Sequence, residues 1–159
     1  MTHTHSHKRG VTLIEILLAL SILALVGAVA LSSLNQYRTQ RSLDGSVESV
    51  LSLFSRAHLD TISSLGEDNQ YGVHLDADKA VYFLGPTYTP EVLSNVEFAL
   101  GSGVEIANIS ANISSSGNNV LFNRLTGGTD QDGSFQLRAK SNSAINVLVT
   151  VNGTGVISL

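Results

Sequence analysis

Cysteine is absent from the 159 residues. That excludes a disulfide framework, a Cys-ligated zinc or iron–sulfur site, a thiol nucleophile and a lipid anchor on cysteine. Proline occurs only at Pro86 and Pro90, so no proline interrupts a helix anywhere between residues 11 and 65. A basic excess is also missing: nine Lys and Arg against thirteen Asp and Glu leave a net charge of −4, and nucleic acid is not an expected partner. The chain contains no Gly-x-Ser-x-Gly elbow, no phosphate-binding glycine loop and no His-Glu-x-x-His, so no enzymatic activity is expected. What is present, 43% hydrophobic and 14% charged residues, is the composition of a folded chain about one domain long.

The hydrophobic content is unevenly placed. Residues 11–34 carry a single charge, Glu15, and residues 16–34 carry none. At about 1.5 Å per residue the uncharged stretch is roughly as long, as a helix, as the hydrocarbon layer of a bilayer is thick. The polar segment before it ends in Lys8 and Arg9, which the positive-inside rule keeps in the cytoplasm. The expectation is a single pass through the inner membrane, with the lipid bilayer as partner and the carboxyl-terminal bulk on the far side. An ordinary secretory signal is the competing expectation, cut after Ala30 or left uncleaved, which would make the chain an exported or membrane-tethered β-domain binding module. Glu15 argues against it, because a carboxylate costs on the order of 2–3 kcal/mol at a helix centre and an ordinary signal gains nothing from one.

The string Lys8-Arg9-Gly10-Val11-Thr12-Leu13-Ile14-Glu15 resembles the class III signal of type IV pilins and type II secretion pseudopilins. The resemblance implies that a prepilin peptidase cuts between Gly10 and Val11, downstream of Lys8 and Arg9, and methylates the new amino group of Val11. Val11 stands where the family most often has Phe. Glu15 then takes the family's glutamate position, five residues into the mature chain. In a staggered bundle of such helices the Val11 amine of one subunit can meet Glu15 of its neighbour, giving each buried charge a partner and setting axial register. The implied protein is a minor pilin or pseudopilin, a structural subunit of a type IV pilus or type II secretion-like filament. Its implied partners are other such subunits, the prepilin peptidase and the inner-membrane assembly platform, and its implied destination is an extracytoplasmic filament.

Beyond the apolar run, Leu43, Val47, Val50, Leu51, Phe54, Ala57, Leu59, Ile62 and Leu65 recur mostly three or four apart, while Arg41, Asp44, Glu48, Ser52, Arg56 and Asp60 take the opposite positions. This pattern predicts an amphipathic continuation of the helix, capped by Gly66. After Gly66 the period changes to two and turn residues multiply. Strands are expected at residues 71–75, 80–84, 95–100, 104–109, 119–123, 134–140, 145–151 and 155–159, the last two joined by Asn152-Gly153. Residues 114–118 and 127–133 are expected as polar loops. The predicted fold class is α+β and pilin-like: a long amino-terminal helix, half membrane segment and half amphipathic, packed on an antiparallel β-sheet domain. The predicted organisation is a leader over residues 1–10, a transmembrane or filament-core helix over 11–34, an amphipathic helix over 35–65 and a β domain over 66–159. Tyr71-Gly72-Val73, Val120-Leu121-Phe122 and the closing Asn152 to Ile157 segment resemble the H-type minor pseudopilins.

Other chemistry is sparse. His3, His5 and His7 alternate in the leader, where they read as solvated, and His58 and His74 read as packed or surface imidazoles. Asp130 and Asp132, followed by Gly133, are the weak candidates for a metal, calcium. Two carboxylates with no downstream glutamate fall short of the six to eight oxygens calcium takes. No cofactor is expected.

Overall fold

A computed structural model describes residues 11–63 and 70–159, with the side chains of residues 30–33 outside the described set. The chain divides into two compact units, Met1–Arg38 and Thr39–Leu159. Helix α1, Leu13–Ser63, contributes to both.

In the first unit the described part of α1 is built from Leu, Ile, Ala and Val, which favour or tolerate the helix, and no proline breaks it. Leu17, Leu18, Leu20, Leu23 and Leu25 are each more than half exposed. Among the described residues, nothing buries them.

The second unit holds the core, and all its strand pairs are antiparallel. One sheet contains β1 (Tyr71–Leu75), β2 (Lys79–Leu84), β3 (Val96–Ala99) and β5 (Asn119–Leu121) in the order β3-β2-β1-β5. The other contains β4 (Val104–Ala107), β6 (Gly133–Ala139), β7 (Asn142–Val151) and β8 (Ile157–Ser158) in the order β4-β6-β7-β8. The second half of α1 packs on both. Phe54 stacks on Phe135 of β6 at 5.8 Å and meets Phe122, just after β5, edge-on at 6.4 Å. Leu43, Val50, Phe54 and Ala57 are fully buried with Val73, Leu75, Val120, Leu137 and Val149. The amphipathic stripe therefore faces the sheets, with Arg41, Asp44, Glu48, Ser52 and Arg56 outside.

Several local expectations are corrected. Leu59 and Ile62 are exposed, whereas Thr61 is buried. The Thr61 hydroxyl donates to the Ala57 carbonyl at 2.8 Å and accepts the Tyr71 N–H at 3.2 Å. It thereby ties the helix to the first residue of β1, so a polar side chain holds the core-facing position that apolar spacing assigns to its neighbours. Residues 111–115, part of them expected as loop, form helix α2 (Ala111–Ser115), anchored by the buried Ile113. Strand β7 begins earlier than expected and β8 is only two residues long. The Asn152-Gly153 pair does not close a two-residue hairpin: Asn152 N–H donates to Val156, Gly155 N–H donates to Asn152, and Gly155 takes the left-handed conformation at φ +81°. The proposed cap at Gly66 and the stripe residue Leu65 lie outside the described residues.

Candidate functional site

Helix α1 begins where the sequence motif places its chemistry. Thr12 precedes the first helical residue, and its Oγ1 accepts the Glu15 N–H at 3.3 Å while its carbonyl accepts the N–H groups of Glu15 and Ile16 at 3.1 and 3.3 Å. A threonine ahead of a helix with glutamate three residues on is the arrangement that satisfies orphan donors at an amino-terminal turn. The spacing Thr12-x-x-Glu15 is itself the local signal of this turn. Glu15 also lies in the first turn of α1, where a carboxylate complements the helix dipole. Val11 and Glu15 are both exposed, and Val11 lies before the helix. Lys8, Arg9 and Gly10 lie outside the described residues.

The helix that follows offers apolar surface and little else. Ser21 turns its hydroxyl back onto the Leu18 carbonyl at 2.8 Å, which hides its polarity from an apolar surrounding. Among the described residues, α1 is the one helix long and apolar enough to cross a membrane by length and composition. The alternative cleavage site, at Ala30, falls inside α1.

Several other titratable groups are engaged by neighbours within the second unit. His58 meets Phe122 edge-on at 5.4 Å. His74 lies in β1, stacked on Tyr88 at 4.0 Å with Nδ1 2.8 Å from Asn119 Oδ1. Tyr82, in β2, donates to Asp60 of α1 at 2.7 Å, with the Arg56 guanidinium over its ring at 4.8 Å. Burial first, and then the bond to Asp60, push the Tyr82 phenol well above its ordinary value. Arg138 donates to Glu105 at 2.7 Å across the β4–β6 pair, so its charge is met within the sheet.

The loop of Asp130 and Asp132 is organised by a residue that no sequence motif singles out. Asn112 of α2 donates from Nδ2 to the Asp130 and Asp132 carbonyls, both at 3.0 Å, and to Asp132 Oδ1 at 2.6 Å. Asn123 reaches Asp130 Oδ1 at 3.4 Å. Among the described residues no group of three or more His, Asp or Glu side chains gathers where it could hold a metal ion.

Residues 5–31 match the family model for the prokaryotic N-terminal methylation motif. The match spans both sides of the Gly10–Val11 bond and includes Lys8, Arg9, Glu15 and much of the exposed apolar helix. No curated protein and no solved structure matches the chain. The motif supports a structural subunit of the pilin or pseudopilin type, a class that assembles with other such subunits after peptidase processing. Together with the apolar helix, it is consistent with a single-pass protein anchored in the inner membrane.

Proposed function

We propose that the chain is a minor prepilin-like subunit, cut by prepilin peptidase between Gly10 and Val11, methylated on Val11, and drawn from the inner membrane into a type IV pilus or type II secretion-like filament. The observation that supports this reading is the continuity of the methylation motif at residues 5–31 with an apolar helix whose described side chains are exposed. Lys8 and Arg9 hold the leader in the cytoplasm until the cut removes them. In the filament, residues 11–34 form the core, where apolar surface leaves lipid for neighbouring helices. The Val11 amine of one subunit pairs with Glu15 of the next, so neither charge is buried alone and the axial stagger is set. Thr12 keeps the Glu15 backbone donor occupied, leaving the carboxylate to the neighbour. No cofactor takes part.

The test is the mature amino terminus, read by intact mass and terminal sequencing of the chain from membranes of its host. A chain that begins at methylated Val11 supports the proposal. One that begins at Leu31 replaces it with an exported binding module and leaves Glu15 without a role. Gly10→Val should leave the full-length form uncut, and a mature-sized product from that variant would move the cleavage site elsewhere.

A further inference from the structure

We propose that the bond between Asn152 and Gly153 is a site of spontaneous covalent change, where Asn152 loses its side-chain amide through a cyclic imide and becomes aspartate or isoaspartate. The pair opens the connection from β7 to β8, and both residues are exposed. Asn152 N–H donates to the Val156 carbonyl at 2.9 Å and Gly155 N–H to the Asn152 carbonyl at 2.8 Å. Residues 153–155 therefore form a three-residue hairpin loop whose left-handed position falls on Gly155. Gly155 has no room for a side chain, since a Cβ there would lie 2.9 Å from the His58 ring. Gly153 has no such reason to be glycine. Its φ lies outside the left-handed region, and beyond its chain neighbours an added Cβ would meet nothing nearer than the Thr129 carbonyl oxygen at 3.7 Å.

What glycine provides at 153 is an unshielded peptide nitrogen beside an asparagine, a thermolabile residue. Attack of that nitrogen on Asn152 Cγ forms the C–N bond of the ring and breaks the bond to the side-chain nitrogen, which leaves with the peptide proton as ammonia. Water then adds to the imide. Opening at the Cγ carbonyl leaves aspartate; opening at the former main-chain carbonyl leaves isoaspartate, with the chain continuing through Cγ. Among the described residues, neither the Asn152 side chain nor the Gly153 N–H makes a hydrogen bond that would hold it back. An asparagine in a turn ordinarily bonds nearby backbone, and its neighbours in β7 do so. Asn142 Oδ1 accepts the Ala144 N–H at 3.0 Å, and Asn146 Nδ2 donates to the Ser143 carbonyl at 2.9 Å. Those two asparagines are followed by Ser143 and Val147, whose side chains crowd the attacking nitrogen.

The two products act differently on the fold. The Gly153 carbonyl accepts the N–H of the buried Thr129 at 3.0 Å, and Gly128 lies so close to the same oxygen that a Cβ there would stand 2.9 Å from it. Isoaspartate adds one methylene to the main chain just before Gly153, which displaces this carbonyl and unties the loop of Gly128 and Thr129 from the hairpin. Aspartate leaves the main chain as it was and adds one negative charge to a chain of net charge −4. Neither change depends on a cut at Gly10, so the site stands apart from the filament reading.

The test follows the full chain, purified from membranes, through incubation at mildly alkaline pH in heavy-oxygen water, both folded and in guanidinium. The tryptic peptide that follows Lys140 carries Asn142, Asn146 and Asn152 together, so fragment masses compare the three in one molecule. In the folded chain heavy oxygen should enter residue 152 and leave residues 142 and 146 unlabelled, while an isoaspartate-specific methylation assay turns positive. Gly153→Ala, which the backbone accepts, should slow the conversion about tenfold or more, and Asn152→Gln should abolish it. Hydrogen exchange at the Thr129 amide should quicken in the isoaspartate form and stay unchanged in Asn152→Asp. Retention of the Asn152 amide in the folded chain while it converts in guanidinium would overturn the site. So would equal labelling of Asn142, or a Gly153→Ala chain that converts as fast as its parent.

Discussion

The amino-terminal stretch of α1 and its second half are built from similar residues and treat them in opposite ways. Leu17, Leu18 and Leu23 are more than half exposed, while Leu43, Val50 and Phe54, on the same helix, are fully buried. The second group is stabilised by two sheets of its own chain. The first is left exposed by the described residues, and leaving that much apolar surface in water is unfavourable. A helix with a hydrophobic stripe belongs to a folded core; one apolar all round belongs in a membrane or among other helices. The difference teaches that the same residue types need a striped arrangement to build a core, and that an all-round apolar surface is consistent with a membrane anchor.

The largest effect that can test this contrast is Phe54→Ala. Phe54 joins both sheets to α1, so its truncation should cost about 3–5 kcal/mol, read as an earlier denaturation midpoint of the β unit. Leu18→Ala should leave that midpoint in place, and a matching shift would break the distinction between the two regions. Glu15→Ala comes next: membrane insertion and processing should persist while recovery in sheared filaments falls, and normal incorporation would remove the proposed pairing with Val11.

A smaller effect is expected at the polar clamp between helix and sheet. Tyr82→Phe, which strips Asp60 of its phenol donor, should cost about 1–3 kcal/mol. Because the folded protein raises the Tyr82 phenol above its ordinary value of about 10, its contribution is fully present below that pH and is lost as pH rises through the folded value. Lys79 is also raised, chiefly by its hydrogen bond to Glu97, and acts in the same window. Stability should therefore decline in alkali, and less steeply in Tyr82→Phe; an unchanged slope would discount the clamp. The smallest effect belongs to Leu59→Ser, which should move the midpoint by no more than about 0.5 kcal/mol because the side chain is already in water.

Much of this was legible without coordinates. Strand β1 falls where period-two alternation and flanking turn residues place it, and most of the amphipathic stripe faces the core as spacing requires. Errors cluster where contacts distant in sequence decide the outcome. Thr61 is buried because Tyr71, ten residues later, donates to it. Helix α2 is short, with Ala111 and Ile113 its apolar residues, and the rest of the core encloses Ile113. Asn112 became visible as the organiser of the loop of Asp130 and Asp132 only when α2 was placed beside residues eighteen and twenty positions further on. The methylation motif at the amino terminus was legible because a basic pair, a glycine, a glutamate and an uncharged run are all local.

The sequence by itself determined that an uncharged helix follows a basic segment ending in glycine and that an amphipathic helix and a strand-rich region come after it. Local composition and periodicity set those features directly. The tertiary structure alone decided that the strands divide into two sheets, that Phe54 joins both of them, and that Thr61 is buried against the first residue of β1. Those outcomes depend on which surfaces meet across the chain, and that is set by packing and hydrogen-bond satisfaction over the whole β unit.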